Sequence, residues 1–167
     1  GYDVPKVFEG RGSLEAASMG IGIEPDEMAV RCNLICINPD GTIKNHSAGH
    51  ITTEEADELI GTLNTRLADG RFKIYTGVSY RHLLKIKDAD KRISCTPPHD
   101  VPGAPAMDVM VKADVPEAEE TADYINSLIL DSQEILRDHP VNLRRIAEGK
   151  DPANSIWPWS PGYKPSM

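Results

Sequence analysis

Apolar positions along the chain follow two periods. Ala56, Leu59, Ile60, Leu63 and Leu67 share one helical face. Thr52 followed three residues later by Glu55 is a capping-box signature at the start of that helix, and Gly70 supplies its stop. From Pro116, a favoured first helical residue, to Arg137, the residues Ala122, Ile125, Leu128, Ile129 and Ile135-Leu136 predict a second long helix, broken by His139-Pro140. Residues 141–148 predict a short further helix ended by Gly149. A minor one over residues 14–19, capped by Ser13, is stopped by Gly20 and Gly22.

The other period is two. Residues 28–37 are β-rich and mostly apolar, with Arg31 and Asn33 as polar interruptions on the same side of the strand. Pro39-Asp40-Gly41-Thr42 is a turn, with a short strand after it. Residues 72–78 and 81–87 predict two strands around Gly77-Val78-Ser79-Tyr80, and residues 93–96 a short one. Residues 156–159, Ile-Trp-Pro-Trp, predict a last edge strand, where proline is tolerated. The order β, α, β, β, α predicts an α/β (α+β) sandwich, a mixed or antiparallel sheet of about four to five strands covered by two long helices and a short one.

Composition narrows the function. A chain of 167 residues, 40% hydrophobic and 26% charged, fits one soluble domain. A net charge of −8 argues against a nucleic-acid-binding surface, and no apolar run approaches the roughly 18 residues that cross a membrane. The three cysteines contain no CxxC pair, so free thiols in a cytoplasmic protein are expected and a zinc site is not. No P-loop, nucleophile elbow, GxGxxG or HExxH motif is present. Both ends, at Gly1 and Met167, read as cut, which suggests a piece of a longer protein.

What remains is a set of cations and polar groups near element ends. In Cys95-Thr-Pro-Pro-His-Asp-Val-Pro-Gly103 the prolines forbid regular structure and stiffen a loop that presents His99 and Asp100 side by side. Arg31 in an apolar strand must pair with a buried carboxylate or bind an anion. His50 precedes a helix start, where N–H groups receive anions, or is a surface histidine. Of Arg81 and His82, alternation sends one to solvent. His139 and Asn142 suit capping, and Arg145 a surface cation, unless they join Arg31 and Arg81 around a doubly anionic metabolite, for which arginine is the suited grip.

The ordered set Gly10-Arg-Gly, Arg31-x-Asn33, Ser47-Ala-Gly-His-Ile51, Tyr80-Arg-His82, Pro98-His-Asp100, His139-Pro-Val-Asn142 with Arg145, and Pro152-Ala-Asn154 through Trp157-Pro-Trp159 resembles the middle section of the archaeal-type, cofactor-independent phosphoglycerate mutases. The resemblance covers nearly the whole chain. It implies an enzyme of the alkaline phosphatase superfamily, a glycolytic isomerase that interconverts 3-phosphoglycerate and 2-phosphoglycerate, whose metal-dependent outer domain is interrupted by an inserted substrate-binding domain. The outer domain's nucleophile and two divalent metals, usually manganese, have no counterpart motifs here. The chain is therefore expected to be the inserted domain over residues 1–167, with 1–12 and 160–167 as connecting segments, binding no cofactor and inactive alone. Its partners would be phosphoglycerate and the outer domain. Carried over by motif, Arg31 and Arg81 become anion clamps and His99 with Asp100 the orienting and proton-transfer pair. Asn33, His82, His50, Asn142 and Arg145 are further substrate-binding candidates. Ser47-Ala-Gly-His50 departs from the Arg-Ala-Gly-Arg of many relatives. That departure keeps open a related phosphotransferase or phosphatase, of the kind labelled homoserine kinase-like, and a non-catalytic binding module remains a further alternative.

Overall fold

A computed structural model describes residues 16–17 and 19–159. The predicted minor helix falls mostly outside these, leaving Ala16 and Ala17 as its helical remnant.

Strand β1 (Glu27–Ile37) is the axis of the fold. It pairs antiparallel with β4 (Arg81–Lys87) along one edge and with β7 (Ser155–Trp159) along the other, and β2 (Ile43–Asn45) joins its far end. Strand β3 (Phe72–Val78) completes the five-stranded sheet by pairing with β4. Every pairing is antiparallel, which settles the choice between a mixed and an antiparallel sheet. Pro158 fits β7 because alternate residues aim their N–H groups away from β1. On that outer side the N–H of Ile156 donates to Ser132 Oγ at 3.1 Å, and Pro158 needs no partner there.

Helix α1 (Thr53–Arg66) packs on β3, and helix α2 (Glu119–Arg137) packs on β7. The capping box of α1 is complete: Thr52 Oγ1 accepts from Glu55 N, and Glu55 Oε1 accepts from Thr52 N. The second helix differs from its expected start. Pro116–Ala118 forms a 3-10 turn and the α-helix begins at Glu119, because the extended residue before a proline and the tighter first turn delay regular α geometry. Helix α3 (Pro140–Ala147) is capped by His139, whose Nδ1 accepts from Val141 N at 3.1 Å. The predicted strand over 93–96 is shorter, Ile93–Ser94 (β5), and it pairs with β6 (Lys112–Ala113) in a small second sheet.

Alternation along β1 divides the molecule. Met28, Val30, Cys32 and Leu34 enter the main core with Leu84, Ile86, Ile74, Leu59, Leu63, Ile125 and Ile129. On the opposite face Ala29 and Leu83 are covered by Ala16, Met19, Ile21, Ile23 and Tyr75. No helix described lies over the rest of that face, where Arg31 and Asn33 sit. The three thiols are free, and burial pushes Cys32 and Cys95 up to about 12 and Cys36 to about 11, so they are not nucleophiles at neutral pH.

Asn142, expected among the ligands or as a cap, bridges elements in the interior, and the cap of α3 is His139. Asn142 is fully buried, and its amide joins the end of α2 to the turn before β7. Nδ2 donates to Leu136 O at 2.8 Å and Ala153 O at 2.9 Å, and Oδ1 accepts from Ala153 N at 2.9 Å. An amide with its donors and acceptor spent on backbone has nothing left for a substrate. Asn142→Ala should therefore lower the unfolding free energy by about 2–3 kcal/mol in urea denaturation, because three backbone groups are left unpaired in the interior. Unchanged stability would return Asn142 to the ligand candidates.

Candidate functional site

The open sheet face holds a cleft of about 410 Å³ lined by Arg31, Asn33, Gly77, Arg81 and Trp159 among others. Register explains the grouping. Asn33 lies opposite Arg81 on β4 and opposite Trp157 on β7, while Arg31 lies opposite Trp159, so all these side chains share one face. The cleft wall at Gly77 admits no other residue without a shift. A Cβ there would meet the Arg81 carbonyl oxygen at 2.2 Å, where the β3–β4 ladder changes register.

Each cation has an aromatic platform. The guanidinium of Arg31 lies 5.0 Å from the Trp159 ring centre, and that of Arg81 lies 5.2 Å from the Tyr80 ring centre. A guanidinium held over an aromatic ring keeps its place in the cleft, and its planar set of donors is the chemistry suited to carboxylate or phosphate. Asn33 fixes the assembly. Its Oδ1 accepts from Trp159 Nε1 at 2.9 Å and its Nδ2 donates to His46 O at 3.0 Å, so it positions the platform and the neighbouring loop. It lines the cleft while almost fully buried, with both ends of its amide engaged.

The Pro-rich loop reaches the rim. Pro98–Asp100 is a 3-10 turn, and the His99 ring lies edge-on to Trp159 with centroids 5.2 Å apart. Asp100 Oδ1 is 3.5 Å from His99 Nε2, and both side chains are well exposed. His50 reaches the same region through Tyr80, centroids 6.3 Å apart. The structure thus brings Arg31, Arg81, His99, Asp100 and His50 to one end of the open face.

Arg145 is spent elsewhere, and His82 lines the same cleft from a buried position. Arg145 is buried rather than on the surface. It pairs with Glu55 Oε1 at 2.8 Å and donates to the carbonyls of Ala48, Gly49 and Asp151, which consumes the guanidinium. His82 is the inward partner of Arg81. Its Nδ1 accepts from Gly77 N at 2.9 Å and its Nε2 is buried without a partner. Burial pushes its pKa down to about 4, so it is neutral at physiological pH and brings no charge to the cleft. Three residues of the region, His46, Tyr80 and Trp159, carry no sequence signal beyond lying inside or beside the motifs quoted above. Trp159 could have been found by placing the edge strand against β1 in register. Among the described residues no three His, Cys, Asp or Glu side chains gather closely enough to hold a metal ion.

The family model for 2,3-bisphosphoglycerate-independent phosphoglycerate mutase matches residues 1–142 of this chain. Curated relatives of that description from Methanosarcina barkeri and Methanosarcina acetivorans are 48% and 45% identical over the whole chain, which covers 40% and 41% of their lengths. A solved cofactor-independent phosphoglycerate mutase from Thermoplasma acidophilum aligns with the whole chain at a TM-score of 0.82 and 31% identity, over 45% of that structure. The chain thus spans about two fifths of the length of the curated relatives it matches.

His82 gives the region a measurable signature. A histidine whose folded pKa lies below its unfolded value binds fewer protons folded than unfolded, so stability rises with pH between the two values. Stability should fall as pH is lowered from 6.5 towards about 4, with a contribution from His82 of about 2–3 kcal/mol. His82→Gln keeps an acceptor for the Gly77 N–H and should flatten that part of a urea-denaturation series. An equally steep series in the variant would assign the loss to other groups.

Proposed function

Because this chain belongs to the 2,3-bisphosphoglycerate-independent phosphoglycerate mutase family, we propose that it is the inserted substrate-binding domain of such a mutase, with residues 1–12 and 160–167 as connecting segments. The observation that carries this reading is the pair Arg31 and Arg81, stacked on Trp159 and Tyr80 in one cleft of an uncovered sheet face.

The reaction moves a phosphoryl group between the 3- and 2-oxygens of glycerate. The intermediate glycerate must turn without escaping, and water must be kept from the phosphorylated enzyme. Two fixed guanidiniums suit the first task, since they hold carboxylate and phosphoryl oxygens through directed N–H groups. His99 beside Asp100 at the rim suits proton exchange with the glycerate hydroxyls, the carboxylate orienting the ring. The outer phosphatase-type domain would close over this face and supply the nucleophile and two divalent metals, manganese by the family's habit. Among the described residues no side-chain cluster fits a metal ion. The setting in this reading is cytoplasmic glycolysis, with no nucleic acid and no membrane as partner. No described helix is long and apolar enough to cross a bilayer.

The test is an NMR titration of the chain with 3-phosphoglycerate, with inorganic phosphate as control. The expected result is shifts at Arg31, Arg81 and His99-Asp100 that exceed those from phosphate. The expected dissociation constant is about a millimolar or weaker, since half a site makes only some of the contacts. The chain should show no mutase turnover with or without manganese. Turnover by the chain alone, or shifts no larger than those from phosphate even with the outer domain present, would overturn the reading.

A further inference from the structure

The loop between β2 and α1 gathers imidazoles around the two aromatic platforms. The His46 ring centroid is 5.5 Å from that of Tyr80 and 5.8 Å from that of His99. His50 contacts Tyr80 from the same loop, and His99 contacts Trp159 from the Pro98–Asp100 turn. Three histidines from two segments therefore stand beside the rings on which Arg31 and Arg81 lie.

The backbone that presents them is strained. Ala48, Gly49 and His50 are consecutive left-handed residues, at φ of 50°, 64° and 57°. For Ala48 and His50 this conformation costs about 1–2 kcal/mol each. The loop is held by many bonds. Arg145 Nη2 donates to Ala48 O at 3.1 Å and Gly49 O at 3.3 Å, Gly49 N donates to Asn45 Oδ1 at 3.2 Å, and Asn33 Nδ2 ties down His46 O. Asn45 is itself anchored by Asp151 at 2.8 Å. Strain that is fixed this thoroughly at a cleft rim belongs to loops that place functional side chains.

We propose that His46, with His50 and His99, forms the proton-dependent half of the anion site, so that a phosphate ester held between Arg31 and Arg81 binds more tightly as these imidazoles take up protons. The proposal rests on reading the cleft as the phosphoglycerate site. A neutral imidazole offers one N–H and no charge, whereas an imidazolium offers two N–H groups and a full charge. The groups that face the cluster are Tyr80 and Arg81 from the β3–β4 turn, Arg31 from β1, Trp159 from β7 and Asp100 beside His99. Burial, and then the neighbouring His99 and His50, hold His46 below the ordinary histidine value. A bound dianion reverses that balance, because it offsets the repulsion among the imidazoliums and the two arginines.

The test follows the histidine Cε1–H signals of the chain from about pH 8 to about pH 5, free and saturated with sulfate, which stays dianionic throughout. The same series with 3-phosphoglycerate checks the ester. The His46 midpoint and at least one other should rise with the anion. The dissociation constant should fall at least about threefold between about pH 7.5 and about pH 5.5, each midpoint that the anion raises by about one pH unit allowing at most about tenfold. H46Q should flatten the pH dependence while Arg31 and Arg81 still respond. The wild-type titration needs no substitution, so it decides the matter even if H46Q folds poorly. Arginine shifts with unmoved histidine midpoints would overturn this inference and leave the phosphoglycerate reading standing. If neither arginines nor histidines respond, with the outer domain present as well as without it, both fall.

Discussion

A guanidinium taken out of water costs several kilocalories unless its N–H groups find partners, and much of this fold is arranged so that Arg145 does not incur that cost. Glu55 meets one nitrogen, and the carbonyls of Ala48, Gly49 and Asp151 meet the others. Glu55 is also the third residue of helix α1 and closes its capping box on Thr52. Burial works against its ionised form, but the Thr52 amide and then Arg145 outweigh burial and hold the carboxyl below its usual range. One ion pair thus joins the start of α1, helix α3, the turn before β7 and the strained His46–His50 loop. Removing either partner would leave the other charge inside, with the left-handed loop no longer held.

The second constraint is the antiparallel sheet itself. It buries one face under α1 and α2 and leaves the other free to differ along its length. Met19, Ile21 and Ile23 cover it where Ala29 and Leu83 are apolar. Where β1 turns polar, at Arg31 and Asn33, no described helix covers it. Asn33 makes this polar stretch affordable, because both ends of its amide are used, one on the edge strand and one on the loop. The same alternation sends Arg81 outward and His82 inward, one residue apart.

The parts legible in the sequence were those with a local cause. The capping box at Thr52, the two hydrophobic helical stripes, the Gly77 turn and the proline-tolerant edge strand each follow from residues within a few positions of one another. The polar interruption at Arg31 and Asn33 was visible as a shared strand face. What could not be read depended on distant packing. Arg144 and Arg145 look alike in sequence, and only the docking of α3 makes one exposed and buries the other with a partner at each guanidinium nitrogen. Asn142 beside a helix start suggests capping or binding until α2 and the turn before β7 close around it. His46 has no motif of its own, and it joins the site because β2 pairs with the far end of β1 and the Pro-rich turn folds back towards Trp159.

The placement of charge also bears on how an anion reaches this face. The chain carries a net charge of −8, yet the cleft gathers two arginines and the rim two exposed histidines and His46. An approaching phosphate ester feels the acidic whole at long range and the cationic cleft only at close range. Salt at about 0.1 M screens beyond about 10 Å, which removes much of the distant repulsion and less of the contact attraction. Capture at such a site depends on directed N–H groups rather than on a broad positive field, which favours a ligand whose oxygens match the two stacked guanidiniums over anions in general. That selectivity accords with the proposed role of holding a small intermediate while it turns, and it depends on the aromatic platforms and their support at Asn33 as much as on the cations themselves.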